Sequence, residues 1–569
     1  MTVIRWRTPA FAAMLLLCSR APAGDVILAH GHIYTANATA PWAQALSVTG
    51  GKIDSIGSDR EVLGRRKGQT PVIDLHGRTV MPGVVDSHMH LLYGAIALHG
   101  LNLSTPEWSV TPDQGNVLIE KLRAYAAAHP NDKVLFGRAD FGTLPPQAPT
   151  YELLDRAVSD RPVIIHNTSE HALWLNSQAL KLVHLDDRPV SDPDEERAVI
   201  RDASGHPRGV LLEAAMAIVS RAVNAVVSTE DKLAWIRDAT RHLNQYGITS
   251  VVNATGDLGE IRLYATLRDR GELTVRTRTS FGEVAVRHRL SPKFLADLEE
   301  ARRNYHDDWV SANLVKFFAD GGSGMLPPLV YEPAEYRTLV MELDRRGFQI
   351  MTHALRDDSV RLILDTYEAT EAANGSRDRR PRIEHASLIQ EHDIQRFAKL
   401  GVIADMQPVF CCGDAGSNYD LVNPLPSDRW RSLEASGAHV AFSSDWPCTW
   451  PADPFVGIQQ AVTRQVWHSL ATANVPGSPL DGAGQGGAVA AQTAYWPAES
   501  ISVEAAVNAY TRGGAFAAFA EDRVGTLEHG KQADLILLSQ DIFSAAPTDI
   551  SKTRVLLTMV GGKIVFGTW

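Results

Sequence analysis

Eight short β-type runs recur along this chain, most of them separated by stretches long enough for a helix, and that alternation limits its fold more than any other feature. They are Val84-Val85, Ile248-Thr-Ser-Val-Val252, Thr274-Val-Arg-Thr-Arg-Thr279, Asn313-Leu-Val-Lys-Phe-Phe318, Phe348-Gln-Ile-Met-Thr352, Pro381-Arg-Ile-Glu384, Gly401-Val-Ile-Ala-Asp405 and His439-Val-Ala-Phe-Ser443. Between them lies helix grammar. Ser228 stands as an N-cap, Glu230 and Asp231 fall in the first turn, Leu233, Ile236 and Leu243 recur at helical spacing, and Gly247 ends the run. The pattern predicts an α/β fold, a (β/α)8 barrel of the TIM type, with its active site at the C-terminal ends of the strands.

The first connection is too long for one βα unit, so residues 101–227 are expected to form an inserted α/β subdomain beside the barrel, which itself takes residues 81–100 and 228–519. The insert contains Val163-Ile-Ile-His-Asn167, a helix-like stretch Ala172-Leu-Trp-Leu-Asn-Ser-Gln-Ala-Leu180, and Gly205-His-Pro-Arg-Gly209. Ala471 to Ala498, rich in Gly, Ala and Pro, reads as a long loop or lid. At the two ends the grammar is purely β, and Gly50-Gly-Lys-Ile53 is echoed by Gly561-Gly-Lys-Ile564. Residues 24–80 and 520–569 are therefore most simply expected to close into one small discontinuous β-sandwich domain, the blander alternative being two unrelated hairpins.

Arg5 and Arg7 precede the apolar run Ala10 to Cys18, and Ala21-Pro-Ala23 offers small residues for cleavage. Residues 1–23 read as a secretory signal peptide, which predicts export across the inner membrane, to the periplasm. Its loss removes three arginines and no acid, taking the formal charge from -11 to -14. Such an acidic body offers no footprint for nucleic acid, and no later apolar run is long enough for a membrane span. A small-molecule substrate is the expected partner, with self-association into a homo-oligomer left open. Cys411, Cys412 and Cys448 remain. Three cysteines make no disulfide framework, although one bridge is permitted in an oxidising compartment, and whether Cys448 bonds Cys411 or Cys412 stays open.

Chemistry gathers at the strand ends. His88 and His90 follow the first strand one residue apart, so alternation sends both imidazoles to one face. The spacing alone says little, because 20 histidines in 569 residues give roughly one His-x-His by chance, and His30-Gly-His32 is another. What distinguishes His88 and His90 is their company: Lys316 on the fourth strand, His353 on the fifth, His385 on the sixth and Asp445 on the eighth. Imidazoles and carboxylates suit zinc and similar divalent ions, and a hydrolytic site keeps one position open for water. An ammonium cannot ligate a cation, so Lys316 would take part only as a carbamate formed with carbon dioxide.

On these residues the chain resembles the amidohydrolase superfamily and, within it, the YtcJ-like branch that includes N-substituted formamide deformylases. The motifs are Pro82-Gly-Val-Val-Asp-Ser-His-Met-His90, Val315-Lys-Phe-Phe-Ala-Asp-Gly321, Thr352-His-Ala354, Ile383-Glu-His-Ala386 and Ser444-Asp-Trp446. Glu170-His-Ala-Leu-Trp-Leu-Asn-Ser177 and Gly525-Thr-Leu-Glu-His-Gly-Lys-Gln-Ala-Asp534 extend the likeness across nearly the whole mature chain. The resemblance implies one or two divalent ions, zinc being the expected one. His88, His90 and Asp445 would hold one and His353 and His385 the other, bridged by carbamylated Lys316. It also implies hydrolysis of a non-peptide C–N bond, of amide or N-formyl type, by a metal-activated hydroxide, with Asp445 handling the proton.

Blander readings stand beside these. A plain lysine at 316 would leave a single metal on His88, His90 and His353. His171 is either a substrate contact or a buried hydrogen bond in the insert. Gln407, after the seventh strand, either binds a substrate oxygen or satisfies backbone. Trp446 is a candidate substrate contact but, like Trp174, suits packing better. His30, His32, His166, His184 and His392 are given no function. The same hydroxide would also attack a lactone, carbamate or phosphoester, and a non-catalytic periplasmic binding protein is the last alternative.

Overall fold

The structure, a computed structural model, describes residues 25–103, 115–142, 148–168, 170–185, 190, 192–282, 289–320, 329–411, 425–465 and 494–569. The expected signal peptide, Cys412, Gly321 and most of the expected loop from Ala471 lie outside the described residues.

The eight expected strands form one parallel sheet in sequence order: β1 Val84–Met89, β2 Ile248–Gly256, β3 Arg276–Phe281, β4 Val310–Phe318, β5 Gln349–Ala354, β6 Arg382–His385, β7 Ile403–Met406 and β8 His439–Phe442. Seven parallel ladders join neighbours. The seam between β8 and β1 is held by Ser87 Oγ donating to the Phe442 carbonyl at 3.2 Å and by Asp445 N–H donating to the His88 carbonyl at 2.8 Å. The chain is thus a (β/α)8 barrel. Helices cover it, among them Thr229–Gln245, where the Ser228 side chain accepts from Asp231 N–H and Leu233, Ile236 and Leu243 are fully buried. At its entry β1 crosses β2 so closely that a Cβ on Gly83 would lie 2.3 Å from Thr249 Cγ2, and only glycine fits there.

The two ends of the chain share a sheet. Leu535–Leu538 pairs antiparallel with Thr79–Pro82 through Leu535↔Pro82, Ile536↔Met81 and Leu537↔Val80. A second, four-stranded sheet of Val26–Ala29, Ala45–Thr49, Lys52–Gly57 and Val72–Asp74 packs with it around Leu28, Val48, Leu535 and Leu557. The echoed Gly-Gly turns meet here: Gly51 has φ +83, Gly562 has φ +74, and a Cβ on Gly562 would lie 2.7 Å from Gly51 Cα.

Between β1 and β2 lies a six-stranded mixed sheet with helices. One element there differs from expectation. Ala172–Leu175 is a strand, paired antiparallel with both Val163–Asn167 and Pro207–Leu212, and the helix begins only at Ser177. Being buried on both faces, the strand lacks polar alternation, which is why its apolar run imitates a helix. Asn176 stops it and caps the helix, its side chain accepting from Ala179 N–H. Trp174 is fully buried there, as packing requires.

The open question about the cysteines is answered: Cys411 is disulfide-bonded and Cys448 forms no disulfide, so Cys448 bonds neither Cys411 nor Cys412.

Candidate metal centre

The barrel brings the six widely separated side chains to one mouth. His88 Nε2 lies 3.5 Å from Asp445 Oδ1, and His90 Nε2 lies 3.3 Å from the same oxygen. Donor atoms of His88, His385 and Asp445 are all within 4.8 Å of one another. The His353 ring centroid is 4.5 Å from that of His385, and Lys316 Nζ is 3.3 Å from His88 Nε2.

Two of these residues reach the site through unusual backbone. Strand alternation sends neighbours to opposite faces, yet Glu384 and His385 both serve the mouth because His385 has φ +69, in the left-handed region. Asp445 has φ +55. Such conformations cost about 1–3 kcal/mol each and persist where surrounding structure enforces them.

Burial sets the charge states. It pushes His88, His353 and His385 well below the usual histidine range, helped by the Lys316 ammonium and by neighbouring imidazoles, so all three are neutral. Lys316 itself is brought down to about 8, mainly by burial. Burial pushes Asp445 upward, but the hydrogen bond from His90 and the positive surroundings that Lys316 helps to supply outweigh it and keep the carboxyl low.

A supporting layer fixes which nitrogen His88 and His385 offer, and braces the loop beside His353. His88 Nδ1 is paired with Glu384 Oε2, and Glu384 is held by Arg382, which donates to both of its oxygens at 2.8 Å and to Asp405 at 2.9 Å. His385 Nδ1 is 2.6 Å from Gln407 Oε1. Asp320 accepts from the backbone N–H groups of Leu355 and Arg356, and its Oδ1 lies 3.3 Å from His353 Nε2. Glu384, Arg382, Asp405 and Asp320 were not singled out from sequence. Glu384 and Asp320 lie inside quoted motifs, and a buried acid adjoining a candidate ligand was the signal available.

Two of the candidate substrate contacts lie among the protein's own side chains. Gln407 is buried, with Oε1 2.6 Å from His385 Nδ1 and Nε2 donating to Ser443 Oγ at 2.8 Å and to the Asp405 carbonyl at 3.4 Å, so it orients an imidazole and satisfies backbone. Trp446 is fully buried; a Cβ on Gly94 would lie 1.8 Å from its ring, and it packs against His242 and Trp450. It braces the turn after β8. His171 does reach the centre. Its ring is 6.2 Å from His353, and Nδ1 is 2.8 Å from Glu213 Oε1.

The residues fit a divalent ion. Asp445 Oδ1 and His353 Nε2 are buried without a hydrogen-bond partner, beside neutral imidazoles and a buried amine. An unsatisfied buried polar atom costs roughly 1–3 kcal/mol, which coordination would remove.

A (β/α)8 barrel with such donors at the C-terminal ends of its strands has the architecture of barrels that hold a metal ion at the mouth. The model of the amidohydrolase family matches residues 71–566, and the chain belongs to that family. Putative amidohydrolase YtcJ of Bacillus subtilis (strain 168) is 26% identical over 574 residues, covering 94% of this chain and 98% of its own. N-substituted formamide deformylase of Arthrobacter pascens is 24% identical over 560 residues, covering 95% and 97%. Among solved structures, an uncharacterized metal-dependent hydrolase from Pyrococcus horikoshii OT3 superposes with a TM-score of 0.68 at 22% identity, covering 92% of this chain and 99% of that one.

Proposed function

We propose that the chain is a metal-dependent hydrolase cutting a non-peptide C–N bond, an amide or N-formyl group. The observation that carries this is the meeting of His88, His385 and Asp445 donor atoms within 4.8 Å, next to a buried lysine. His88, His90 and Asp445 would hold one ion and His353 and His385 the other, zinc being the ion that suits the donors best. Lys316 would bridge them as a carbamate, since burial that brings it to about 8 leaves a share of neutral amine to react with carbon dioxide. When bound, the ions supply Lewis acidity, which acidifies water and polarises a carbonyl.

The remaining work falls to the protein. Asp445, kept ionised, takes a proton at Oδ1 or Oδ2 and returns it to the departing nitrogen. Glu384 and Gln407 hold His88 and His385 by Nδ1. His171, reaching over from the insert, contacts the substrate. The choice of a C–N bond is supported by the names of two near full-length relatives, an amidohydrolase and a formamide deformylase.

The test is to strip the purified protein with chelator, reload it with zinc or manganese, and assay amides and N-substituted formamides against esters, lactones and phosphoesters. Activity on the first group that vanishes with chelation and returns with metal is expected. Chelator-resistant activity ends the proposal, and a preference for the second group redirects it to another bond. We also place the mature protein in the periplasm; a cytoplasmic fraction holding the uncleaved chain would contradict that.

A further inference from the structure

The turn that follows β8 carries a sulfur donor, Cys448, beside the candidate metal centre. Asp445, Trp446, Pro447 and Cys448 form a tight turn closed by Cys448 N–H donating to the Asp445 carbonyl at 2.8 Å. That closure folds the side chain of Cys448 back beside the carboxylate of Asp445. The turn is pinned on both sides: His90 N–H donates to the Trp446 carbonyl at 2.7 Å, and Arg138 from the insert donates to the Cys448 carbonyl at 3.1 Å. As a result Cys448 Sγ, a donor nitrogen of His90 and a carboxylate oxygen of Asp445 lie within 4.8 Å of one another. The thiol is not consumed by a disulfide. The second observation is Asp445 Oδ1 itself, in a residue only 5% exposed, with no hydrogen-bond partner and 3.3 Å from His90 Nε2.

We propose that Cys448 is a ligand of the ion held by His90 and Asp445, giving that position a sulfur donor. The inference rests on the metal-centre reading above and deepens it. Zinc–sulfur bonds of about 2.3 Å and zinc–nitrogen or zinc–oxygen bonds of about 2.0–2.2 Å put neighbouring donors roughly 3–4 Å apart, within the observed spread. On binding, the S–H bond breaks, the sulfur forms its bond to the ion, and the proton passes to solvent. A thiolate favours soft ions, so this position selects zinc and cadmium over manganese. The insert takes part through Arg138, which fixes the turn from outside the barrel.

Cobalt(II) titrated into the metal-free full-length protein tests this by absorption. A sulfur-to-cobalt charge-transfer band in the near ultraviolet, lost in Cys448→Ser while visible cobalt bands persist, is the expected result. Cadmium affinity should fall on the order of tenfold or more in Cys448→Ser, with manganese affinity nearly unchanged. Cobalt binding without the band overturns the Cys448 assignment and leaves the metal centre standing. Failure to bind cobalt at all overturns both. If Cys448→Ser does not fold, alkylation of the natural protein decides: protection of Cys448 by zinc supports the assignment, and equal labelling with and without zinc contradicts it.

Discussion

His385 donates its Nδ1–H to Gln407 Oε1 across 2.6 Å, and the direction of that bond is dictated from beneath. Asp405, held by Arg382, accepts from Ser443 Oγ at 2.7 Å. Ser443 must then accept from Gln407 Nε2, 2.8 Å away, which turns the amide oxygen toward His385. Nε2 is left as the basic nitrogen of His385. An acid below the barrel mouth thus selects the tautomer of a side chain at the mouth, the kind of outer support that metal-binding histidines depend on.

Gln407→Leu keeps the shape and removes the acceptor. Metal affinity is expected to fall about 10–100-fold with the fold intact, as for other losses of such support. Chelator competition with a chromophoric zinc dye measures it; unchanged affinity would mean that Gln407 does not set the tautomer.

Glu384 is fully buried between Arg382 and His88. Glu384→Leu leaves the Arg382 charge less well compensated inside the barrel. Breaking a buried pair in this way costs about 3–5 kcal/mol. Chemical denaturation of the metal-free protein should show that loss, and a shift under 1 kcal/mol, roughly the scale of a surface pair, would refute it.

His171 comes from the insert, and removing it should affect the substrate without affecting the metal. His171→Ala is expected to raise KM or lower kcat by about tenfold, the equivalent of one hydrogen bond of roughly 1–1.5 kcal/mol. Metal content measured by mass spectrometry should stay at the natural level. Loss of metal instead would place His171 among the ligands.

Glu260, hydrogen-bonded to Asn253, gives the fold a pH signature of its own. Burial pushes its carboxyl up to about 8, against a value near 4.3 in an unfolded chain. Between those values the folded state holds the proton and the unfolded state does not, so stability declines as pH rises from about 4.3 through about 8. Glu260→Gln should remove up to about 1.4 kcal/mol per pH unit of that slope. Denaturation midpoints from pH 5 to 8 compare the two proteins, and parallel slopes would contradict the shift.

How far the sequence spoke follows from which physical signals are periodic. All eight barrel strands were legible because each pairs a β-branched run with a turn and a helix, and strand-end position then nominated His88, His90, Lys316, His353, His385 and Asp445. Ala172–Leu175 misled because a strand buried on both faces shows no alternation. For Gln407 and Trp446, strand-end position does not reveal which way a side chain turns: one turns sideways to His385, the other down against Gly94. Glu384 stayed hidden because alternation assigns it the face opposite His385, and only the φ of His385 undoes that.

Anomalous diffraction at the zinc edge from crystals grown with zinc tests the central claim most directly. The expected map has a peak about 2.0–2.2 Å from Asp445 and from a nitrogen of His88 or His90, the usual zinc distances. A zinc-saturated crystal with no peak among His88, His90, His353, His385 and Asp445 would contradict it.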